Sequence, residues 1–133
     1  MTKELYRFIH LSDIHFGQEK NGTLVIHNDA RNKLVEDCAD FASKHGPADG
    51  ILVVGDVAYS GTQKEYDTAA EWLRAVAKAG GCEEYAVRTI PGNHDIDRKR
   101  INVYGRNAHR DIRKAAPAQL DAILDEHLAV EWK

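Results

Sequence analysis

Hydrophobic positions in this chain change period several times, and each change predicts an element. Leu5-Tyr6-Arg7-Phe8-Ile9-His10-Leu11 is rich in β-forming residues and predicts a strand. Ser12-Asp13-Ile14-His15-Phe16-Gly17 follows, where a strand gives way to a loop. Gln18 to Thr23 is polar, with Asn21-Gly22 as a turn signal. From about Asn28 to His45 the pattern is helical, with Ala30, Leu34, Val35, Cys38, Phe41 and Ala42 on one face and Gly46-Pro47 as the stop. Ile51-Leu52-Val53-Val54 is a continuous apolar run, the pattern of a strand buried on both faces, and it leads directly into Gly55-Asp56. Thr62-Gln63-Lys64-Glu65 has capping-box spacing. The helix it opens carries Tyr66, Ala69, Ala70, Leu73, Val76 and Ala77 on one face and stops at Gly80-Gly81. Tyr85 to Ile90 predicts a third strand, after which the chain turns on Pro91-Gly92.

The order is β-α-β-α-β with helices of crossover length, which predicts an α/β fold of mainly parallel strands joined by right-handed connections. The remainder differs in character. Asp97 to Lys114 holds seven basic residues (Arg98, Lys99, Arg100, Arg106, Arg110, Arg113, Lys114) against Asp97 and Asp111. Pro117 then opens a predicted helix through Leu128, with Leu120, Ile123, Leu124, His127 and Leu128 on one face.

Composition narrows the class. A chain of 133 residues with 43% hydrophobic and 29% charged residues is globular rather than disordered, and of a length for one domain or part of one. A net charge of −3 supplies no global attraction to nucleic acid or membrane, and no apolar run approaches a membrane span of ~20 residues. Met1-Thr2-Lys3-Glu4 shows no secretory pattern, and Cys38 and Cys82 match no metal or redox spacing. They are expected to be free thiols in a cytoplasmic protein.

In parallel sheets, ligands gather at the carboxyl ends of strands. Asp13 and His15, Asp56, and Asn93 and His94 each fall just past one. Two carboxylates, two imidazoles and an amide, with no thiol among them, form a donor set suited to Mn, Fe, Zn or Mg. In an extended Asp13-Ile14-His15 the outer side chains would share a face. Asp56, with two oxygens, could bridge two cations. Asn93 offers a neutral carbonyl oxygen. His10 reads as structural, His27 as a surface residue with a place near the site, through the loop after Gly17, as the alternative, His109 and His127 as solvated or packing residues, and Tyr59 and Ser60 as facing either substrate or packing.

The order Asp-x-His (Asp13, His15), Gly-Asp-x4-Gly (Gly55, Asp56, Gly61) and Gly-Asn-His-Asp (Gly92 to Asp95) resembles the calcineurin-like metallophosphoesterase superfamily. Leu11 to Gly17 and Pro91 to Asp95 are most similar to its bacterial cyclic-nucleotide-phosphodiesterase-like branch. The resemblance covers roughly residues 5–97. It implies two β-sheets sandwiched between helices and two divalent metal ions. Asp13 and His15 would hold the first ion, Asp56 would bridge both, and Asn93 would hold the second. A metal-bridging hydroxide would attack a phosphoester, with His94 acting on the phosphoryl group or leaving oxygen and Asp95 holding its ring.

Residues 1–133 are thus read as the N-terminal part of a single metallophosphoesterase domain, with a motif core at 5–97 and a basic segment and helix at 98–133. The family continues to a further histidine and a Gly-His-x-His motif, whereas His109 and His127 lie in no Gly-His context and Gly105 precedes Arg106. A longer protein with further C-terminal domains is therefore expected, and whether this portion is active alone stays open. The favoured substrate is a small nucleotide-like phosphodiester. The alternatives are a nuclease of the same superfamily, which the basic segment would serve, and a non-catalytic sensor or scaffold domain.

Overall fold

The computed structural model describes residues 6–19 and 24–131. The Leu5 start of the first strand, the Asn21-Gly22 turn and the side chains of His127 and Leu128 lie outside what is described. The chain divides into two compact units, Met1–Asp97 and Arg98–Lys133.

In the first unit the elements run β1 (Phe8–Leu11), α1 (Leu24–His45), β2 (Gly50–Val54), α2 (Gln63–Gly80), a 3-10 turn (Glu84–Ala86) and β3 (Val87–Ile90). The strands form one parallel sheet in the order β1-β2-β3, with Ile9 beside Ile51 and Ile51 beside Val87. This is the α/β arrangement that the alternating pattern predicts. Several boundaries differ, and β1 begins at Phe8, leaving Tyr6 and Arg7 outside the strand. The first helix begins at Leu24, ahead of Asn28, and the 3-10 turn takes up Tyr85 and Ala86, so β3 starts at Val87.

The sheet order explains a larger difference. Crossovers of one hand that step steadily from β1 to β2 to β3 place both helices on the same face. Ile51 and Val53 accordingly point into the core, at 0% and 1% exposure, while Leu52 and Val54 are 38% and 44% exposed. The central strand is therefore buried on one face, not two. Register places Phe8, Val54 and Ile90 with Leu52 among the outward residues of the three strands, and all are exposed.

The core is built from Leu11, Phe16, Ile51, Val53 and Val57 against Ala69, Leu73, Val76 and Ala77 of α2, with Leu34, Val35 and Cys38 of α1 packed on it. On α1, Ala30 and Phe41 turn out to be exposed. Cys38 and Cys82 are free, and burial pushes both thiols above their usual range. At the start of α2, Glu65 Oε2 accepts the backbone N–H groups of Thr62 at 2.9 Å and Ser60 at 3.1 Å, so the capping carboxylate also ties down the loop after β2.

In the second unit the basic stretch forms α3 (Val103–Lys114), whose Asn102 side chain accepts from Gly105 N at 2.8 Å as an N-cap. Pro117 opens a 3-10 turn (Pro117–Gln119) rather than the helix itself, which is α4 (Leu120–Glu131). α3 packs on α4.

The one-sided core makes a prediction. Ile51→Ala should lower the unfolding free energy of the 133-residue chain by about 2–5 kcal/mol, the range for a buried large-to-small change. Leu52→Ala, one residue along but facing outward, should cost well under half as much. Urea denaturation of both variants checks this, and equal losses would mean that both faces are covered.

Candidate metal centre

Parallel register brings the ends of β1, β2 and β3 to one edge, and the three following loops stay paired past the sheet. Asp13 N donates to Gly55 O at 3.3 Å, His15 N to Asp56 O, Phe16 N to Val57 O and Tyr59 N to Phe16 O, the last three each at 2.9 Å. Gly55 N donates to Ile90 O at 2.8 Å, linking the second loop to the third strand. Phe16 and Ala58 form an isolated parallel bridge with both side chains buried, so the loop pairing has its own small core.

Within this lattice, Asp13, His15 and Asp56 have φ of 54°, 52° and 52°, and they are the non-glycine residues with positive φ among those described. Left-handed backbone costs about 1–2 kcal/mol for an ordinary L-residue. The extended geometry expected for Asp13-Ile14-His15 is therefore replaced by two left-handed residues flanking Ile14. The cause is the backbone pairing with Gly55, Asp56 and Val57, which bends the first loop along the second.

The side chains of His15, Asp56 and His94 converge, each offering one ligand atom within 4.8 Å of the others. His15 Nε2 lies 3.5 Å from Asp56 Oδ2, and the two imidazole rings sit perpendicular with centroids 4.8 Å apart. Asp56 is only 9% exposed, and its Oδ1 accepts His94 N–H at 2.9 Å. Gly92 allows that approach, because a Cβ there would lie 2.1 Å from Asp56 Oδ1 and 2.5 Å from Asp56 N.

Both rings are held from behind. His15 Nδ1 is 3.2 Å from Asp13 O, and His94 Nδ1 is 2.8 Å from Tyr59 O. A carbonyl oxygen only accepts, so each bond places the proton on Nδ1 and leaves Nε2 as the lone-pair nitrogen. Imidazoles that bind metals are oriented in this way. The Tyr59 ring adds a stacked contact to His94 at 5.2 Å and an edge contact to His15 at 6.1 Å.

Asp95 does not hold the His94 ring. Its carboxylate accepts backbone N–H groups of Gly92 at 2.8 Å, Ala58 at 2.8 Å and Val57 at 3.2 Å, and it lies 3.1 Å from the Tyr66 hydroxyl. Burial alone would raise the Asp95 pKa, but these donors outweigh it and hold the carboxyl below its usual range. Burial, then the Asp95 charge, pushes the Tyr66 phenol up to about 12. Gly61, at φ 66°, lets the same loop close on the turn after Asp95, since a Cβ there would sit 2.5 Å from Ile96 C and Asp97 N.

Asp13 and Asn93 are both exposed. The Asp13 carboxylate lies outside the converging group, and Asn93 occupies the turn between Gly92 and His94. Sequence reasoning missed the supports. Arg31 of α1 pairs with Glu19, lies 3.9 Å over the Phe16 ring and donates to Ile14 O at 3.4 Å, while Trp72 of α2 donates to Arg31 O at 3.3 Å. These contacts hold the first loop against both helices. Burial acts to raise the Glu19 pKa, yet backbone donors and Arg31 keep it low. No motif spacing marks these residues.

A hard-to-borderline donor set at the carboxyl edge of a parallel sheet, with both imidazoles braced by carbonyls, fits a divalent cation and marks the site as a candidate metal centre of an α/β protein. Comparison with known proteins identifies the family: the calcineurin-like phosphoesterase model matches residues 6–127, and the chain belongs to that family. It is also similar to an uncharacterized metallophosphoesterase-like protein, YydB of Bacillus subtilis (strain 168), with 34% identity over 92 residues, or 69% of this chain. The match covers 18% of that relative, so the chain spans a minor part of its length.

The Asp95 contacts predict a structural phenotype. Asp95→Asn replaces an acceptor oxygen with an amide donor facing backbone N–H groups, and should cost about 2 kcal/mol of stability. Tyr66→Phe, which removes one hydroxyl, should cost about 1 kcal/mol. Urea denaturation measures both. An Asp95→Asn variant as stable as the parent would mean that the carboxylate does not tie the loops together.

Proposed function

We propose that the chain contributes to a dinuclear metal-dependent phosphodiesterase centre. Asp13 and His15 are assigned to one cation, Asp56 to a position shared by both, and Asn93 to the second. The observation that carries this reading is the bracing of both imidazoles at Nδ1, which leaves His15 Nε2 and His94 Nε2 as the reactive nitrogens beside Asp56. When bound, divalent cations such as Mn, Fe, Zn or Mg supply Lewis acidity and lower the pKa of water near a phosphoryl oxygen.

The residues themselves divide the remaining work. The Asp56 side chain lies close to His15 and its backbone carbonyl accepts His15 N–H, so the ligand position is held by the protein's own contacts. His94, with its proton fixed on Nδ1, can take a second proton at Nε2 and deliver it to the leaving alkoxide. In this reading Asp95 supports the loops that present these groups and touches no substrate.

The proposed substrates are phosphodiesters, with small nucleotide-like esters favoured by the resemblance of Leu11–Gly17 and Pro91–Asp95 to the cyclic-nucleotide branch. Two free thiols support a cytoplasmic setting, and no helix among the described residues is long and apolar enough to cross a membrane. Further C-terminal segments in the whole protein are part of the proposal, consistent with the share of YydB that the match covers.

The test is hydrolysis of an aryl phosphodiester and of 3′,5′-cyclic nucleotides by the whole protein with added Mn²⁺, alongside calorimetric titration of the metal. Asp56→Asn should weaken metal binding, and His94→Ala should reduce turnover by about 10²–10⁴-fold, the range for a general acid. Turnover unchanged in both variants would sink the mechanism. Metal binding without any turnover would favour the non-catalytic sensor reading.

A further inference from the structure

α3 presents two unlike faces. Gly105, Ala108 and Ile112 are half-buried at helical spacing on the helix that packs against α4. Arg106, His109, Arg110, Arg113 and Lys114 are exposed and together line a groove of about 380 Å³ with no carboxylate among its lining residues. Asp111 reaches Arg110 Nε at 3.2 Å in a solvent-exposed pair, the kind that contributes little. Arg106 donates to Ile101 O at 2.7 Å, which steadies that side chain on the helix surface.

The concentration of positive charge is local. Residues 1–97 carry sixteen acidic and ten basic side chains, whereas 98–114 carry seven basic side chains and one acidic. Composition over the whole chain, at −3, conceals this asymmetry.

We propose that the α3 groove is a docking surface for the phosphate backbone of a nucleic-acid duplex, bound without regard to sequence. Three of its five side chains are arginines, whose planar forks match phosphate oxygens, and Arg106 to Arg113 spans about 10 Å of helix, enough to meet several successive phosphates. A membrane surface fits less well. An interfacial helix needs a bulky apolar face free to insert, and the half-buried face here is made of glycine, alanine and isoleucine on a helix packed against α4. A single strand fits less well because no phenylalanine, tyrosine or tryptophan ring lines the groove for bases to stack on.

The test is run in EDTA, where failure of the phosphoesterase reading has no influence. Fluorescence anisotropy of a labelled duplex of about 20 base pairs is measured against the protein across potassium chloride concentrations. With about four cations engaged, log K should fall against log salt with a slope of about −3.6, a loss of about 100-fold between 50 and 200 mM. Arg113→Gln with Lys114→Gln should reduce the magnitude of the slope by about 2, while Arg113→Lys should preserve it. Far-UV circular dichroism confirms that the exposed substitutions leave α3 folded. No duplex binding at 50 mM salt by the parent protein would overturn the proposal. So would a slope unchanged in the folded double variant, or binding to phosphatidylserine vesicles with none to the duplex.

Discussion

The Asp95 carboxylate is the tie on which the site depends. It gathers backbone donors from its own turn at Gly92 and from the loop after β2 at Val57 and Ala58, and it meets the hydroxyl of Tyr66 on α2. One charged group thereby connects the third strand's exit, the second strand's exit and a core helix. Charge-assisted bonds of this kind are stronger than neutral ones. Asp56 and His94 lie on the two segments so joined, and the bond from His94 N to Asp56 Oδ1 runs across the same seam. Positioning of Asp56 and His94 therefore rests on a residue that is not itself among the converging donors.

The parts of this arrangement are unequally legible in the primary structure. Asp13, His15, Asp56, Asn93 and His94 stand out because their chemistry lies in residue type and each follows a strand-like run. Tyr66 does not, since it falls on the apolar stripe of α2 with Ala69, Leu73 and Val76 and reads as packing. Tyr59 is less legible still. Its main contribution to His94 is a backbone carbonyl, a group every residue has, so no letter of the sequence could signal it. Arg31 and Glu19 meet through tertiary structure, and their pairing follows from the approach of α1 to the first loop.

A similar limit governs the sheet. Periodicity identifies three strands and two crossover helices, because each element states its own pattern locally. It does not state the order of strands, and the order decides which faces are covered. Leu52 and Val54 are as apolar as Ile51 and Val53, yet they face away from both helices because the sheet steps in one direction. An apolar run thus reports a strand's composition, while the covering of its second face depends on elements elsewhere in space.

The backbone at the candidate ligands carries the last step. Left-handed backbone is unfavourable even for Asp and His, which adopt it more readily than most residues, and three such positions fall in these two loops. Such strain persists only where surrounding contacts over-determine it. Here the four backbone bonds between the first and second loops, the buried Phe16–Ala58 bridge and the Arg31 cradle over Phe16 supply those contacts. Relaxing Asp13, His15 or Asp56 to ordinary backbone would break that pairing, so the strained geometry is the one compatible with the folded core. The conformational cost of assembling His15 and Asp56 is therefore met largely during folding, and these two side chains stand together without a cation to gather them.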